Sequence, residues 1–134
     1  MPALRTYLVE DSPVIRENLI AALEELVGID IVGTADSESV ATYWLHHEPN
    51  GWDLVVIDIF LKSGSGLGVL TACRERRSGQ RLVVLSNYAT ADMRRKCTEL
   101  GADAVFDKSN EIDALVAYCQ RLSDPESGIG MLAS

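Results

Sequence analysis

Short apolar runs alternate with longer segments of helical periodicity along most of the chain. The apolar runs predict five strands, at residues 6–9, 29–34, 54–57, 81–86 and 104–107. Apolar residues at helical spacing follow each run and predict five helices, at residues 13–27, 37–47, 67–73, 90–100 and 110–122. The run at 54–57 is apolar without alternation, which is typical of a strand covered on both faces.

The first helix carries the clearest boundary signals. Ser12 is a suitable N-cap, Pro13 fits the first turn, and Gly28 ends the periodic segment. We expect one face of each helix to be buried against the strands. In the first two helices, the residues expected on that face are Ile15, Leu19, Ala22, Leu23, Leu26, Val40, Ala41, Trp44 and Leu45.

The regular alternation of strand and helix predicts an α/β fold with a doubly wound parallel sheet. Right-handed crossovers would place helices on both faces of that sheet. The length of 134 residues fits one domain. We place this domain at residues 1–122. Small residues, Gly and Pro dominate residues 123–134, which we interpret as a flexible tail or the start of a linker.

Composition and charge narrow the classes of function. The net charge is −8, which disfavours contact with phosphate backbones. The two densest basic runs, residues 74–77 and 94–96, are short and lie near acidic residues, so we interpret them as solvated helix faces and expect no direct binding of nucleic acid. No apolar stretch reaches the length of a membrane span and no secretory signal is visible, which favours the cytoplasm.

Cysteine and histidine offer weaker candidates for redox or metal chemistry. Cys73, Cys97 and Cys119 are odd in number, widely spaced and on the apolar stripes of helices, so buried free thiols are favoured. His46 and His47 are adjacent on a helix and therefore point in different directions, with no third ligand nearby. A surface pair is the favoured interpretation.

Polar residues stand where four of the predicted strands end. Glu10 and Asp11 follow the first strand, Asp58 the third, Ser86 closes the fourth, and Lys108 follows the fifth. In a doubly wound sheet these ends meet at one edge, where functional groups collect. Three carboxylates there would favour a hard cation such as Mg2+, and a lysine would add a further positive charge.

This constellation contains the parts needed for phosphoryl transfer to a carboxylate, with Asp58 as the nucleophile. Taken singly, each residue has a simpler role. Glu10 and Asp11 would suit the N-terminus of a helix, and Asp58 would suit a turn. The joint occurrence of matched groups at the ends of four strands favours the functional interpretation.

The chain resembles the receiver domain of bacterial response regulators from Leu4 to about Leu122. The matching segments are Val9-Glu10-Asp11-Ser12-Pro13, Val56-Ile57-Asp58-Ile59-Phe60-Leu61, Ser65-Gly66-Leu67, Val83-Val84-Leu85-Ser86-Asn87, and Gly101-Ala102-Asp103 through to Lys108. The resemblance implies the flavodoxin-like strand order 2-1-3-4-5.

The same resemblance implies a set of site residues and partners. Mg2+ would be held by Asp11, Asp58 and the backbone carbonyl of Phe60, with Glu10 assisting through water. A histidine kinase or a histidine phosphotransfer protein would donate the phosphoryl group to Asp58. Ser86 would hydrogen-bond a phosphoryl oxygen, and a downstream protein target would receive the signal. Oligomeric state and the possibility of a longer regulator stay open.

Two other functions compete with a phosphorylation-dependent switch. The first is a receiver-fold interaction module that works without phosphorylation, against which the complete set of site residues argues. The second is a hydrolase with an aspartyl-phosphate intermediate, which would need a second acid two residues after the nucleophile. Phe60 occupies that position. We therefore expect no enzyme beyond autophosphorylation and slow dephosphorylation.

Three departures from the family pattern concern the loops and the output. Lys62 and Ser109 stand where the family commonly has proline. Because a cis bond before serine costs about 2.5–4 kcal/mol, we expect a trans bond before Ser109. Val105 replaces a switching aromatic, so the response is expected to centre on Asn87, Tyr88 and the following helix.

Overall fold

A computed structural model describes residues 3–87 and 89–123 of the chain. Its strands are β1 (Arg5–Val9), β2 (Asp30–Ala35), β3 (Leu54–Asp58), β4 (Arg81–Ser86) and β5 (Ala104–Asp107). Its helices are α1 (Pro13–Val27), α2 (Glu38–His47), α3 (Gly66–Ala72), α4 (Ala91–Glu99) and α5 (Ile112–Ser123). The predicted order of elements is confirmed, and most boundaries agree within one or two residues.

The five strands form one parallel sheet in the order β2-β1-β3-β4-β5. The predicted strand order is therefore confirmed. The chain moves from β1 to one neighbour, β2, and then returns to the opposite side of β1 as β3. The direction of winding reverses between β1 and β3, and in such sheets this reversal opens a crevice at the carboxyl ends of the strands.

Two apolar layers cover the sheet. Leu8, Val56 and Leu85 point to the layer that contains residues of α1 and α5. Val9, Ile57 and Val84 point to the layer that contains residues of α2, α3 and α4. Because successive strand residues face opposite sides, these neighbours divide between the layers. The central strands are consequently buried on both faces, as their continuous apolar sequence predicts.

Local capping explains why α1 begins directly after the first polar cluster. The Ser12 hydroxyl accepts a hydrogen bond from the Ile15 N–H at 3.3 Å, and Pro13 occupies the first turn. Gly28 ends the helix with φ 76°, in the left-handed region that favours glycine. The predicted caps are confirmed, and they place Glu10 and Asp11 immediately before the helix.

The prediction of burial is wrong for three helix residues. Ile15, Leu26 and Val40 are exposed, whereas Leu19 and Leu23 are buried as predicted. Ile15 and Leu26 lie in the first and last turns of α1. Helical spacing places them on the apolar face of the helix, but at the helix ends that face need not pack against the sheet. Val40 lies in the first turn of α2.

The predicted thiols and the histidine pair are found in the expected environments. All three cysteines are free and buried. Burial raises the pKa of Cys73 and Cys119 to about 12 and also raises the pKa of Cys97, which keeps the thiols protonated. His46 and His47 are exposed on α2.

No helix within residues 3–87 and 89–123 combines the length and the hydropathy of a membrane span. The predicted tail at 123–134 lies outside the described residues except for Ser123, which closes α5.

Candidate functional site

The register of the sheet brings the first acidic residues together. Val9 of β1 pairs with Ile57 of β3, so the next residues along each chain, Glu10 and Asp58, emerge side by side at the carboxyl edge. On the other side of β3, Asp58 pairs with Leu85, and Ser86 follows. The edge of the sheet therefore gathers the groups predicted from the strand ends.

Glu10, Asp11 and Asp58 form a compact acidic cluster. Each has a carboxylate oxygen within 4.8 Å of those of the other two. Glu10 and Asp58 are buried, and Asp11 is partly exposed. Carboxylate oxygens at one open-sided crevice are the donor set that suits a hard divalent cation such as Mg2+. The residues present therefore fit that cation.

Lys108 brings a buried positive charge to the cluster. Its ammonium nitrogen lies 2.5 Å from Oε1 of Glu10 and 3.1 Å from Oδ2 of Asp58. The side chain of Lys108 is 7% exposed, and those of Glu10 and Asp58 are 2% and 5% exposed. Three ionised carboxylates and one ammonium leave a local charge of about −2. A divalent cation would neutralise it.

The charges shift each other's protonation. Burial raises the pKa of Asp58 to about 6, with a further contribution from the negative charge of Glu10. Burial alone lowers the pKa of Lys108, but its hydrogen bonds and charge contacts with Glu10 and Asp58 outweigh that effect. The net pKa of Lys108 is raised. The site therefore holds a charged lysine beside a carboxylate that is costly to ionise.

Backbone N–H groups orient the three carboxylates. The Ser12 N–H donates to Oε2 of Glu10 at 3.1 Å, and the Phe60 N–H donates to Oδ1 of Asp58 at 3.1 Å. The Lys62 N–H donates to Oδ2 of Asp11 at 2.6 Å. This last bond exists because residue 62 is not proline, so the departure noted in the sequence supplies a donor to the cluster.

Ser86 and Lys108 are joined through the backbone. The Lys108 N–H donates to the Ser86 carbonyl at 3.0 Å, and Ser86 is fully buried. No cis peptide bond occurs in residues 3–87 and 89–123, so the expected trans bond before Ser109 is confirmed. The Ser109 N–H donates to Oδ1 of Asp107 at 2.8 Å, which stabilises the turn that presents Lys108.

The residues singled out for the output are Asn87, Tyr88 and Val105. Asn87 is exposed directly after β4, and Tyr88 lies outside the described residues. Val105 is partly buried and packs with the layer that contains α4, whereas Phe106 packs with the opposite layer against Tyr118. The prediction that Phe106 faces the wrong side to replace an aromatic at position 105 is confirmed.

Arg94 was missed by sequence reasoning, which assigned its basic run to a solvated face. That interpretation holds only in part for Arg94, whose side chain is 39% exposed. It is wrong for Arg76, which follows the end of α3, is 15% exposed and pairs with Asp103. The Arg94 guanidinium donates to the carbonyls of Ala89 and Val105 at 2.9 Å each, and it lies 2.5 Å from Oε1 of Glu111. The same Glu111 oxygen accepts from the Asp107 N–H at 2.9 Å. Arg94 therefore links the β4–α4 loop to β5 and to the start of α5.

Glu38 was also missed, because nothing in the spacing of α2 distinguishes it from a surface acid. It contacts the segment between β3 and α3, where it accepts a hydrogen bond from the Ser65 N–H at 2.7 Å. The glycines at 64, 66 and 68 were the available signal, since a glycine-rich loop often permits close approach of another segment.

Comparisons with known proteins agree with this geometry. The model of the family described as "Response regulator receiver domain" matches residues 6–120. The chain is 30% identical over 127 residues to the alkaline phosphatase synthesis transcriptional regulatory protein SphR of Synechococcus elongatus. That match covers 90% of this chain and 49% of SphR, so the chain spans about half the length of this relative.

Solved structures show the same fold. A two-component response regulator of the LuxR family from Aurantimonas sp. SI85-9A1 superposes with a TM-score of 0.79 at 21% identity, covering 98% of this chain and 95% of that one. A chain of the CheX–CheY–BeF3–Mg2+ complex from Borrelia burgdorferi superposes with a TM-score of 0.74 at 19% identity, covering 85% and 84%. The match of the family model, together with the sheet order and the strand-end residues, shows that this chain belongs to the response regulator receiver domain family.

Proposed function

We propose that this chain is a phosphorylation-dependent switch of a two-component system and that Asp58 accepts the phosphoryl group. The observation that carries the proposal is the burial of Asp58 between two other acids and the Lys108 ammonium. Burying two carboxylates beside a third is unfavourable for the folded protein. Such an arrangement is therefore explained better by the chemistry of the site than by stability.

The reaction would transfer a phosphoryl group from a histidine of a kinase or phosphotransfer protein. A carboxylate oxygen of Asp58 attacks phosphorus, the bond from phosphorus to the donor nitrogen breaks, and its electron pair goes to that nitrogen. With one proton taken up from solvent, the donor leaves as neutral imidazole. The attacking group must be ionised. A pKa of about 6 leaves the carboxyl of Asp58 largely ionised at pH 7.

Asp11, Asp58 and the backbone carbonyl of Phe60 would hold Mg2+, with Glu10 assisting through water. When bound, the cation offsets the charge of the carboxylates and of the phosphoryl oxygens. The compact donor set supports this assignment. So does the fold shared with a chain of the CheX–CheY–BeF3–Mg2+ complex, which contains that cation.

Ser86 and Lys108 would contact the phosphoryl group once it is attached. Lys108 already lies 3.1 Å from Oδ2 of Asp58, so its ammonium is close to the place where new negative charge would develop. The Ser86 hydroxyl would donate to a phosphoryl oxygen, and its backbone bond to Lys108 couples the two residues. The downstream target is a protein. We propose no direct contact of these residues with nucleic acid and no turnover of an external substrate.

Acetyl phosphate or phosphoramidate with Mg2+ tests the proposal. Intact mass measurement is expected to show the gain of one phosphoryl group on the wild type and none on Asp58→Asn. The exposed Asp36 offers a matched control, and Asp36→Asn is expected to be labelled like the wild type. Labelling of Asp58→Asn at the wild-type level would make the site assignment wrong. A folded wild type that neither these donors nor a kinase can label would favour the phosphorylation-independent module.

Titration with Mg2+ tests the division of roles among the acids. We expect Asp11→Ala to weaken Mg2+ binding much more than Glu10→Ala, because direct ligation is assigned only to Asp11. Calorimetry or amide chemical shifts would measure both affinities. Equal losses in the two variants would contradict that division.

A further inference from the structure

The loop between β3 and α3, residues 59–65, carries Phe60 and connects Asp58 to the next helix. Its first half is bonded to the acidic cluster itself, through the Phe60 and Lys62 N–H groups. Those bonds end on Asp58 and Asp11, whose oxygens are also the proposed cation ligands. They therefore cannot hold the loop independently of the cation.

The second half of the loop is bonded to Glu38, outside the cluster. The Glu38 N–H donates to the Ser63 carbonyl at 3.1 Å, and the Ser65 N–H donates to Oε1 of Glu38 at 2.7 Å. The acceptor is a carboxylate, and hydrogen bonds to a charged acceptor are stronger than neutral ones. Glu38 thus fastens the loop on both sides of Gly64.

Two glycines make this contact possible. A methyl group added at Gly64 or at Gly68 would overlap the side chain of Glu38. Gly64 also has φ 84°, a conformation that other residues rarely adopt. The loop and the first turn of α3 are therefore shaped around the half-buried Glu38 side chain.

At the end of the loop, Gly66 returns the chain to the site. Its N–H donates to the Ile59 carbonyl at 3.0 Å, and a methyl group at Gly66 would overlap the Asp58 carbonyl. Gly66 follows Ser65, which is hydrogen-bonded to Glu38, and Gly66 contacts the backbone of Asp58. A shift of Ser65 cannot occur without moving the loop that carries Phe60.

We propose that Glu38 is a positioning residue for the phosphoryl-transfer site, which sets the β3–α3 loop so that the Phe60 carbonyl is ready for the cation before the cation binds. This inference rests on the proposed function, because it uses the Mg2+ site assigned there. Glu38 touches neither the cation nor the phosphoryl group. Glu38 orders the loop before Mg2+ binds, so that the conformational entropy of the loop is not lost during Mg2+ binding.

Mg2+ titrations of the wild type and three variants test the inference. Glu38→Ala is expected to weaken Mg2+ affinity about tenfold, the effect of losing one hydrogen bond to a charged group. Glu38→Gln is expected to keep most of the affinity, because its amide oxygen can still accept from the Ser65 N–H. Asp36→Ala removes a nearby exposed negative charge without a loop contact and is expected to bind Mg2+ like the wild type.

The rate of labelling by acetyl phosphate distinguishes a positioning role from a purely structural one, because only a positioning role predicts that saturating Mg2+ restores the rate. The Glu38→Ala rate is expected to be low at subsaturating Mg2+ and to recover at saturating Mg2+, since only the readiness of the loop is lost. Circular dichroism and urea unfolding confirm that each variant is folded. A rate that stays low at saturating Mg2+ would contradict the positioning role.

The outcomes separate this inference from the proposed function. Wild-type affinity in a folded Glu38→Ala, or an equal loss in Asp36→Ala or Glu38→Gln, would overturn it while labelling of Asp58 stands. A wild type that binds Mg2+ with the expected ranking of variants but is never labelled would overturn the proposed function alone. A wild type that binds no Mg2+ would overturn both.

Discussion

The two halves of the carboxyl edge of the sheet differ in burial and in the kind of polar contact that stabilises them. Around the ends of β1 and β3, the strands are almost fully buried and the polar groups are buried ions, with Lys108 between Glu10 and Asp58. At β5, every strand residue is only partly buried, and Cys97 is the one residue of α4 that is buried. This second region is held by Arg94 and Glu111, whose side chains are 39% and 34% exposed.

We interpret the first region as the place of the proposed phosphoryl transfer and the second as the place of the proposed conformational response. Ions in a buried crevice interact strongly and keep a defined geometry, which phosphoryl transfer requires. Hydrogen bonds and ion pairs near solvent are exchanged for water at little cost. We expect substitutions in the first region to change stability and chemistry strongly, and substitutions in the second to change mainly how far a response spreads.

The largest effect is expected from Lys108→Ala. Removing the ammonium leaves Glu10 and Asp58 buried without their partner, which is expected to lower the free energy of unfolding by about 3 kcal/mol without Mg2+. Urea unfolding measures the loss. Mg2+ binding is expected to persist and to restore part of the stability, while phosphoryl transfer or its consequences are impaired. Full retention of phosphorylation-dependent behaviour would exclude a role for Lys108.

Asp58→Asn is expected to stabilise the metal-free protein at pH 7. The folded-state pKa of about 6 exceeds the ordinary value of 3.8, so the folded protein binds more protons between these values and loses stability as pH rises through them. The shift sets an upper limit of about 3 kcal/mol, which solvent access to the crevice reduces to about 1–2 kcal/mol.

The asparagine variant lacks this titration. Its advantage is therefore expected to be present at pH 7 and to shrink as pH falls below about 6 toward 4. Urea unfolding at several pH values, with a chelator present, measures the difference. An advantage that is constant across this range would show that ionisation of Asp58 is not its cause.

Arg94→Ala is expected to lower the free energy of unfolding by about 1 kcal/mol, since its contacts are hydrogen-bonded but partly solvated. Arg95→Ala is the matched control. Arg95 pairs with Asp92 on the exposed surface of the same helix, and its loss is expected to change stability by less than about 0.5 kcal/mol. Equal losses in both variants would remove the distinction between Arg94 and a surface arginine.

The smallest effect concerns how the response spreads. With beryllofluoride and Mg2+, the largest amide shift changes beyond the proposed cation site are expected at residues 87–91. Smaller changes are expected at Val105 and Glu111, because Arg94 contacts both. In Arg94→Ala these smaller changes should disappear. Dominant changes on residues 104–106 and α5, with a quiet loop, would contradict the expectation drawn from Val105.

The acidic cluster was predictable because the rule that governs it is simple. Polar residues that directly follow the apolar runs must lie close together, because parallel strands end at the same edge of the sheet. The pairing of Val9 with Ile57 accordingly brings Glu10 next to Asp58. The contacts of Glu38 and Arg94 follow no such rule. They join helices to loops that are distant in sequence, and many other acids or arginines of the chain would look equivalent in the sequence.

The sequence by itself determined the order of elements, the strand order through family resemblance, and the identity of the residues at the strand ends. Apolar periodicity and capping residues act locally, so a linear reading captures them. Tertiary structure alone decided that Ile15 is exposed, that Asp58 is costly to ionise, and that Glu38 rather than another acid contacts the β3–α3 loop. Burial, charge interactions and close packing depend on residues that are distant in sequence but adjacent in the fold. Which residues become adjacent depends on how the helices pack against the sheet.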